Sequence, residues 1–132
     1  EPGRVISLVG RTGVLEFAAL IRGASLVLSN NSSALHLADA FRTPLVVLYS
    51  GTDYESQWLP RSGPSHLLRI PTVCSPCYRF ECPYHLECLD ISPHAVVQVA
   101  LEMLGRLPDA HAIQTVDQSW LPAGQTLRKE KS

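Results

Sequence analysis

Three short, nearly continuous apolar runs constrain the fold of this chain more than any other feature. They are residues 4–9 (RVISLV), 25–29 (SLVLS) and 45–49 (LVVLY). Strands that helices cover on both faces have this pattern, because neither face of the sheet meets water. Apolar residues at helical spacing follow the first two runs, over 14–23 and 33–41. The order βαβαβ predicts an α/β fold, a Rossmann-like parallel sheet with right-handed crossovers.

Two further elements are predicted in the second half of the chain. Residues 66–70 (HLLRI) have the composition of a strand. Ser92 and Pro93 suit a helix cap and a first helical residue, and an amphipathic pattern follows them as far as Gly105. We expect this last helix to cover one face of the sheet.

Composition agrees with one folded unit over residues 1–105, followed by a polar carboxyl-terminal tail over 106–132, of which 109–132 is expected to be loose. Hydrophobic residues make up 45% and charged residues 17% of the chain, enough apolar surface for a core. The net charge of −1 gives no basic surface for nucleic acid. No apolar run reaches the ~20 residues of a membrane span, and no leader precedes the first strand, so we expect a cytoplasmic protein.

Small polar loops follow each of the three apolar runs, at residues 10–13, 30–33 and 50–53. The carboxyl ends of parallel strands meet at one edge of a sheet, where ligands bind. Backbone N–H groups at a helix start favour an anion at such a place. Two interpretations stay open: an anion site, or a helix cap at Ser32 or Ser33 with a simple turn in the third loop.

Two longer stretches of the chain together resemble one known family. The strings GRTGVLEFAALIRGASLVLSNNSSALHLADAFRTPLVVLYSGTD and CSPCYRFECPYHLECLDISPHAVV are similar to the carboxyl-terminal half of family 9 glycosyltransferases, the bacterial lipopolysaccharide heptosyltransferases. The donor signature of that family reads roughly Asp/Asn-Ser/Thr-Gly-Pro-x-His, followed by an Ala-rich helix and Thr-Pro-Val-Val. The pieces keep their order and spacing over residues 5–104. The resemblance implies the carboxyl-terminal half of a GT-B glycosyltransferase, with residues 1–105 forming part of its nucleotide-sugar domain.

The resemblance implies a set of donor-binding residues. They are Arg11 and Thr12 in the first loop, Asn31, Ser32, Ser33, Ala34 and His36 around the second, and Thr52 and Asp53 in the third. The match departs from the family at Ser33 and Ala34, where Gly and Pro are usual, and Ser50-Gly51 stands in place of Gly-Pro. Two roles stay open for His36: contact with the sugar or diphosphate, or a bond to a neighbouring carbonyl.

The implied reaction is transfer of heptose, or a related sugar, from an ADP-heptose type donor to the lipopolysaccharide core, with inversion at the sugar carbon. N–H groups at a helix start, with Arg11 as a cation, would stabilise the charge on the leaving diphosphate, so no metal cofactor is required. The location implied is the cytoplasm, or the inner face of the bacterial inner membrane.

The acceptor site and the general base of family members belong to an amino-terminal domain that is expected to be missing from this chain. We therefore expect the chain alone, a fragment or a natural remnant, to be inactive. The missing strands and domain would also leave an uncovered sheet edge, which predicts self-association.

All four cysteines of the chain lie close together, in the pattern C-x2-C-x4-C-x5-C formed by Cys74, Cys77, Cys82 and Cys88. In a reducing compartment, structural Zn²⁺ held by four thiolates explains such density. The last spacing is wide and His85 offers a fifth ligand, so disulfides and free thiols packed as small hydrophobes stay open. A second hypothesis for function follows: a cysteine-rich, metal-stabilised binding module that has kept the fold without catalysis.

Overall fold

The computed structural model describes residues 5–105 and 112–115. Its sheet has four strands that neighbour one another in sequence order: β1 (Val27–Asn30), β2 (Leu45–Tyr49), β3 (Ser65–Arg69) and β4 (Ala112–Thr115). Every pair is parallel. The α-helices are α1 (Val14–Gly23), α2 (Ser33–Phe41) and α3 (Pro93–Gly105), with short 3₁₀ turns at Glu55–Gln57 and Glu87–Leu89. The predicted α/β class with a parallel sheet is confirmed.

Strand β2 separates two apolar cores, one on each face of the sheet. Leu45, Val47 and Tyr49 pack on the face that α1 and α2 cover. Val46 points to the opposite face and packs with residues of α3 such as Val96, because successive side chains of a strand alternate. Helices on both faces explain why β2 is a continuous apolar run.

The predicted strand at residues 4–9 is wrong for the residues that the structure describes. Residues 5–9 form no strand, and Val5 and Val9 are each 90% exposed. An apolar run becomes a strand only when a neighbouring strand takes up its backbone hydrogen bonds, and none of the described strands pairs with it. The predicted strands at 25–29 and 66–70 are present, but β1 covers Val27–Asn30 and β3 covers Ser65–Arg69.

The expectation of a loose tail is wrong at β4, which is a strand of the sheet. Its backbone pairs with β3 in parallel register, from His66 with Ala112 to Arg69 with Thr115. The run AIQT is short and half polar, so its pattern is weak, and only pairing with β3 defines it as a strand. The rest of the predicted tail, residues 106–111 and 116–132, lies outside the described residues.

The helices α2 and α3 have the bounds that the sequence predicts. Helix α2 ends at Arg42, whose left-handed backbone (φ 57°) stops the helix while its N–H bonds to the carbonyls of Ala38 and Asp39. Helix α3 begins at Pro93 and ends at Gly105. Among the described helices, none has the length and apolar character that a membrane crossing requires.

Candidate functional site

The carboxyl ends of β1 and β2 open onto a cavity of about 420 Å³, here called the polar cavity. It is lined by Asn30, Asn31, Leu48, Tyr49, Ser50, Thr52, Asp53, Leu89 and Ile91. The second and third predicted loops therefore meet at one edge of the sheet, because β1 and β2 are parallel neighbours. This is the place where α/β proteins bind ligands.

Hydroxyl groups of the loop at residues 50–53, the site loop, form a short hydrogen-bond chain. The hydroxyls of Ser50 and Thr52 are 2.7 Å apart, and Thr52 Oγ1 donates to Asp53 Oδ2 at 3.1 Å. The side chains of this loop are therefore held in place. Asp53 presents a carboxylate suited to accepting bonds from sugar hydroxyls, whereas it would repel a phosphate placed against it.

The start of α2 follows Asn31 of the polar cavity and carries no side-chain cap, whereas Ser32, Ser33 and Ala34 lie outside the described lining. Ser32 is the N-cap residue, yet its hydroxyl lies 3.0 Å from that of Ser29 and makes no capping bond. The first turn also contains no acidic residue. The free N–H groups near Ser33 and Ala34 and the positive end of the helix dipole are therefore suited to an anion. The alternative in which the Ser32 side chain is a cap does not match this geometry.

His36 lies one turn into α2 and is exposed. Its ring centroid is 5.8 Å from that of Trp58, with the two rings inclined at 59°. The structure therefore pairs His36 with an aromatic side chain. It lies outside the described lining of the polar cavity.

Arg11 and Thr12 precede α1 and also lie outside the described lining of the polar cavity. Arg11 is exposed, and its backbone N–H bonds to the carbonyl of Leu8 at 3.0 Å. The loop leads directly into α1, where the Gly13 N–H donates to the Glu16 carboxylate at 2.8 Å. Of the three predicted loops, the structure brings the second and third together and leaves the first apart.

Tyr49, the last residue of β2, is a lining residue that the sequence analysis missed. It is 2% exposed, and its hydroxyl has no hydrogen-bond partner among the described residues. Burial, and then the nearby Glu55 and Asp53 carboxylates, raise the pKa of Tyr49 to about 12. The Tyr49 hydroxyl therefore keeps its proton at physiological pH. The sequence signal that could have identified Tyr49 as a lining residue is its position at the carboxyl end of an apolar run.

A second cavity of about 320 Å³, here called the thiol cavity, adjoins the first and shares Ser50, Thr52 and Leu89 with it. All four cysteines, Cys74, Cys77, Cys82 and Cys88, line this cavity as free thiols. Within residues 5–105 and 112–115, no three His, Cys, Asp or Glu side chains are grouped so that they could hold a metal ion. The four-thiolate zinc site stays a prediction, which metal analysis of the purified chain would test.

The sequence profile of glycosyltransferase family 9 (heptosyltransferase) matches residues 2–87, which include β1 to β3 and the polar-cavity residues from Asn30 to Asp53. The chain belongs to glycosyltransferase family 9. This confirms the family resemblance. The start of α2 and the site loop both lie within the matched residues.

The chain is also similar to lipooligosaccharide heptosyltransferase 2 of Campylobacter jejuni subsp. jejuni serotype O:2 (strain ATCC 700819 / NCTC 11168). The two are 23% identical over 103 residues, which is 76% of this chain and 32% of the relative. The match thus spans about a third of the length of this relative. No solved structure matches the chain.

Proposed function

We propose that this family 9 chain is the donor-binding part of a glycosyltransferase that moves heptose, or a related sugar, from a nucleotide diphosphate to a lipopolysaccharide core. One observation carries the proposal: an uncapped helix start beside a polar cavity, at the carboxyl edge of a parallel sheet, within the family match. A nucleoside diphosphate is the ligand that this combination favours.

In this proposal, the diphosphate binds at the start of α2. The backbone N–H groups near Ser33 and Ala34 and the hydroxyl of Ser32 donate to its oxygens. As the bond from the sugar carbon to the diphosphate breaks, negative charge grows on the leaving group, and donors already in place stabilise that charge. Asp53, held by Thr52, accepts bonds from hydroxyls of the sugar. A metal cofactor is not part of the proposal.

The acceptor and the general base belong to the rest of the transferase in this proposal. The match covers about a third of a relative named for heptose transfer, so the acceptor contact is assigned to a region beyond the matched third. The reaction is placed at the cytoplasmic side of the inner membrane, where the resemblance implies that the lipopolysaccharide core is extended.

Titration of the ¹⁵N-labelled chain with ADP tests the proposal. Amide signals of residues 31–34 and Thr52 should shift in proportion to occupancy, whereas those of α3, on the other side of the sheet, should stay in place. AMP is the matched control, since it keeps the base and ribose but lacks the second phosphate. Unchanged amides at 31–34 under saturating ADP would exclude the proposed donor site.

A second candidate function rests on the thiol cavity. Four cysteines around one cavity, with Ser33 and Ala34 in place of the Gly and Pro usual in the family, favour a binding module without catalysis. That function predicts no response of residues 31–34 to ADP. The same titration therefore separates the two candidates.

A further inference from the structure

Arg69, the last residue of β3, connects two loops that the sequence separates. Its side chain is 15% exposed and forms an ion pair with Glu55, which follows the site loop. The other guanidinium arm, Nη2, donates to Ser75 Oγ at 2.8 Å. Ser75 belongs to the segment at residues 73–89, here called the cysteine loop. One planar cation thus bonds at once to the cysteine loop and to Glu55, two residues beyond the site loop, which its forked geometry allows.

Backbone hydrogen bonds join the same two loops. The Cys77 N–H donates to the Gly51 carbonyl at 3.0 Å, and the Tyr78 N–H donates to the Thr52 carbonyl at 2.9 Å. The rings of Tyr54 and Tyr78 also meet edge to face, with centroids 6.1 Å apart. Two backbone hydrogen bonds and one ring contact therefore hold the cysteine loop against the site loop and the residue that follows it.

Gly51 is the point of closest approach between the two loops. It is buried, and a Cβ atom placed on it would lie 3.2 Å from Ser75 Oγ and 3.3 Å from the Cβ atoms of Ser75 and Cys88. At such distances the neighbours must shift by a few tenths of an ångström to admit a side chain. A side chain at this position would push the cysteine loop away from the site loop.

We infer that Arg69 and Gly51 are positioning residues, which lock the cysteine loop onto the site loop and so fix Thr52 and Asp53 in the polar cavity. The inference rests on the proposed function, because it assigns the locked loop to donor binding. The role of the cysteine loop follows: it is a wall of the donor site, although it lies outside the donor signature of the family.

Gly51→Ala tests the packing half of the inference. We expect the amides of Cys77 and Tyr78 to exchange with solvent at least tenfold faster, because their acceptors move away, and ADP affinity to fall at least tenfold. Gly23→Ala is the matched control, since a Cβ there meets nothing within 4 Å.

Arg69→Lys tests the role of the Arg69 contacts in the inference. It is also the alternative test if Gly51→Ala does not fold. Lysine keeps the charge but lacks the fork that reaches Glu55 and Ser75 together. We expect the same faster exchange at Cys77 and Tyr78 and at least a fivefold loss of ADP affinity. Arg22→Lys, at the exposed end of α1, should behave as the parent chain does.

The readouts separate failure of the inference from failure of the proposed function. Exchange at Cys77 and Tyr78 that is equal in parent and variants overturns the inference, and so does faster exchange with parental ADP affinity. A parent chain that binds no ADP overturns the proposed function instead. The exchange comparison then still decides whether Gly51 and Arg69 lock the two loops.

Discussion

Ser32 and Tyr49 mark two places near the polar cavity where hydrogen-bonding groups lack protein partners among the described residues. Ser32 starts α2 without capping it, and the Tyr49 hydroxyl is buried without a partner among the described residues. Buried or terminal polar groups are normally satisfied. At the start of α2, the proposed ligand would accept bonds from the free N–H groups. The buried Tyr49 hydroxyl instead lowers the stability of the folded chain.

Ser32→Asp should weaken ADP binding by more than tenfold, about 1.4 kcal/mol or more, because a carboxylate would lie against the diphosphate at a partly desolvated site. Ser32→Ala should cost little, since the backbone N–H groups carry most of the interaction. Calorimetric titration at low salt measures both. Equal ADP affinity in the parent and the Asp variant would mean that α2 starts without an anion site.

Tyr49→Phe should change the pH dependence of stability. The folded pKa of about 12 lies above the usual 10, so the folded chain keeps a proton that the unfolded chain loses. The stability linked to Tyr49 is therefore complete below pH 10 and is lost as pH rises toward 12, by about 2–3 kcal/mol.

Urea unfolding of the two proteins between pH 8 and pH 12 measures this difference. The Phe variant should match the parent at pH 8 or exceed it by about 1 kcal/mol, because the removed hydroxyl has no partner. It should also lose less stability above pH 10. Parallel curves for the two proteins would show that the Tyr49 hydroxyl ionises freely in the fold.

At the scale of elements, Asp39 near the end of α2 organises the chain that leads into β3. Its Oδ1 accepts the N–H groups of Arg61, Ser62 and Gly63 at 2.7–3.0 Å. Gly63 is buried so close to Arg42 that a Cβ atom would lie 3.0 Å from the Arg42 Cα. The carboxylate and the glycine together set the position of β3, and through it the position of Arg69.

Asp39→Ala should lower the free energy of unfolding by about 1.5–3 kcal/mol, since the part-buried N–H of Gly63 and two exposed N–H groups lose a charged acceptor. Asp39→Asn keeps an oxygen without the charge and should lose about half as much. Urea unfolding at pH 7 gives both values. A loss below 0.5 kcal/mol in the Ala variant would mean that water replaces the carboxylate at no cost.

Sequence patterns predicted elements with strong local signals and missed those that depend on distant partners. The sequences of α2 and α3 have residue types typical of helix starts, together with helical spacing, and β2 is a continuous apolar run, so all three were predicted with their observed bounds. The run at residues 4–9 has the composition of a strand but no described partner, whereas β4 has a partner and a weak pattern. Strand pairing decided whether each of these two runs is a strand, and a local sequence pattern does not reveal pairing.

The same limit applies to the candidate site. Loops after strands can be located from sequence, which is why Asn31, Thr52 and Asp53 were chosen and now lie at one cavity. The sequence analysis placed Arg69 within a predicted strand and did not single it out. Its role depends on contacts with Glu55 and Ser75. Those contacts depend on the packing of two loops, and no motif specifies them.

For the whole molecule, β1 is the end strand of the described sheet and presents apolar surface. It pairs only with β2 among the described strands, Leu28 is 53% exposed, and Leu15 of α1 is 86% exposed. Uncovered edge strands and apolar faces promote association. The chain on its own therefore has a surface suited to a further strand.

The isolated chain should self-associate with increasing concentration, as measured by sedimentation velocity. Leu28→Lys places a charge on the β1 edge and should shift the chain toward the monomer. Leu101→Lys, at an equally exposed leucine of α3 (64%), is the matched control and should associate as the parent does. A parent chain that stays monomeric at every concentration would contradict this role of the β1 edge.

The strand order also has a consequence for how the chain assembles. Val27 pairs with Leu45, Leu45 with Ser65 and His66 with Ala112, so the paired residues are about 18, 20 and 46 positions apart. Each strand can dock on the one synthesised just before it, and closing the last and longest loop costs only about 0.7 kcal/mol more chain entropy than closing the loop before it. During synthesis, β1 to β3 and both polar-cavity loops can therefore form before the cysteine loop has left the ribosome, and Leu89 and Ile91 complete the lining of the cavity afterwards.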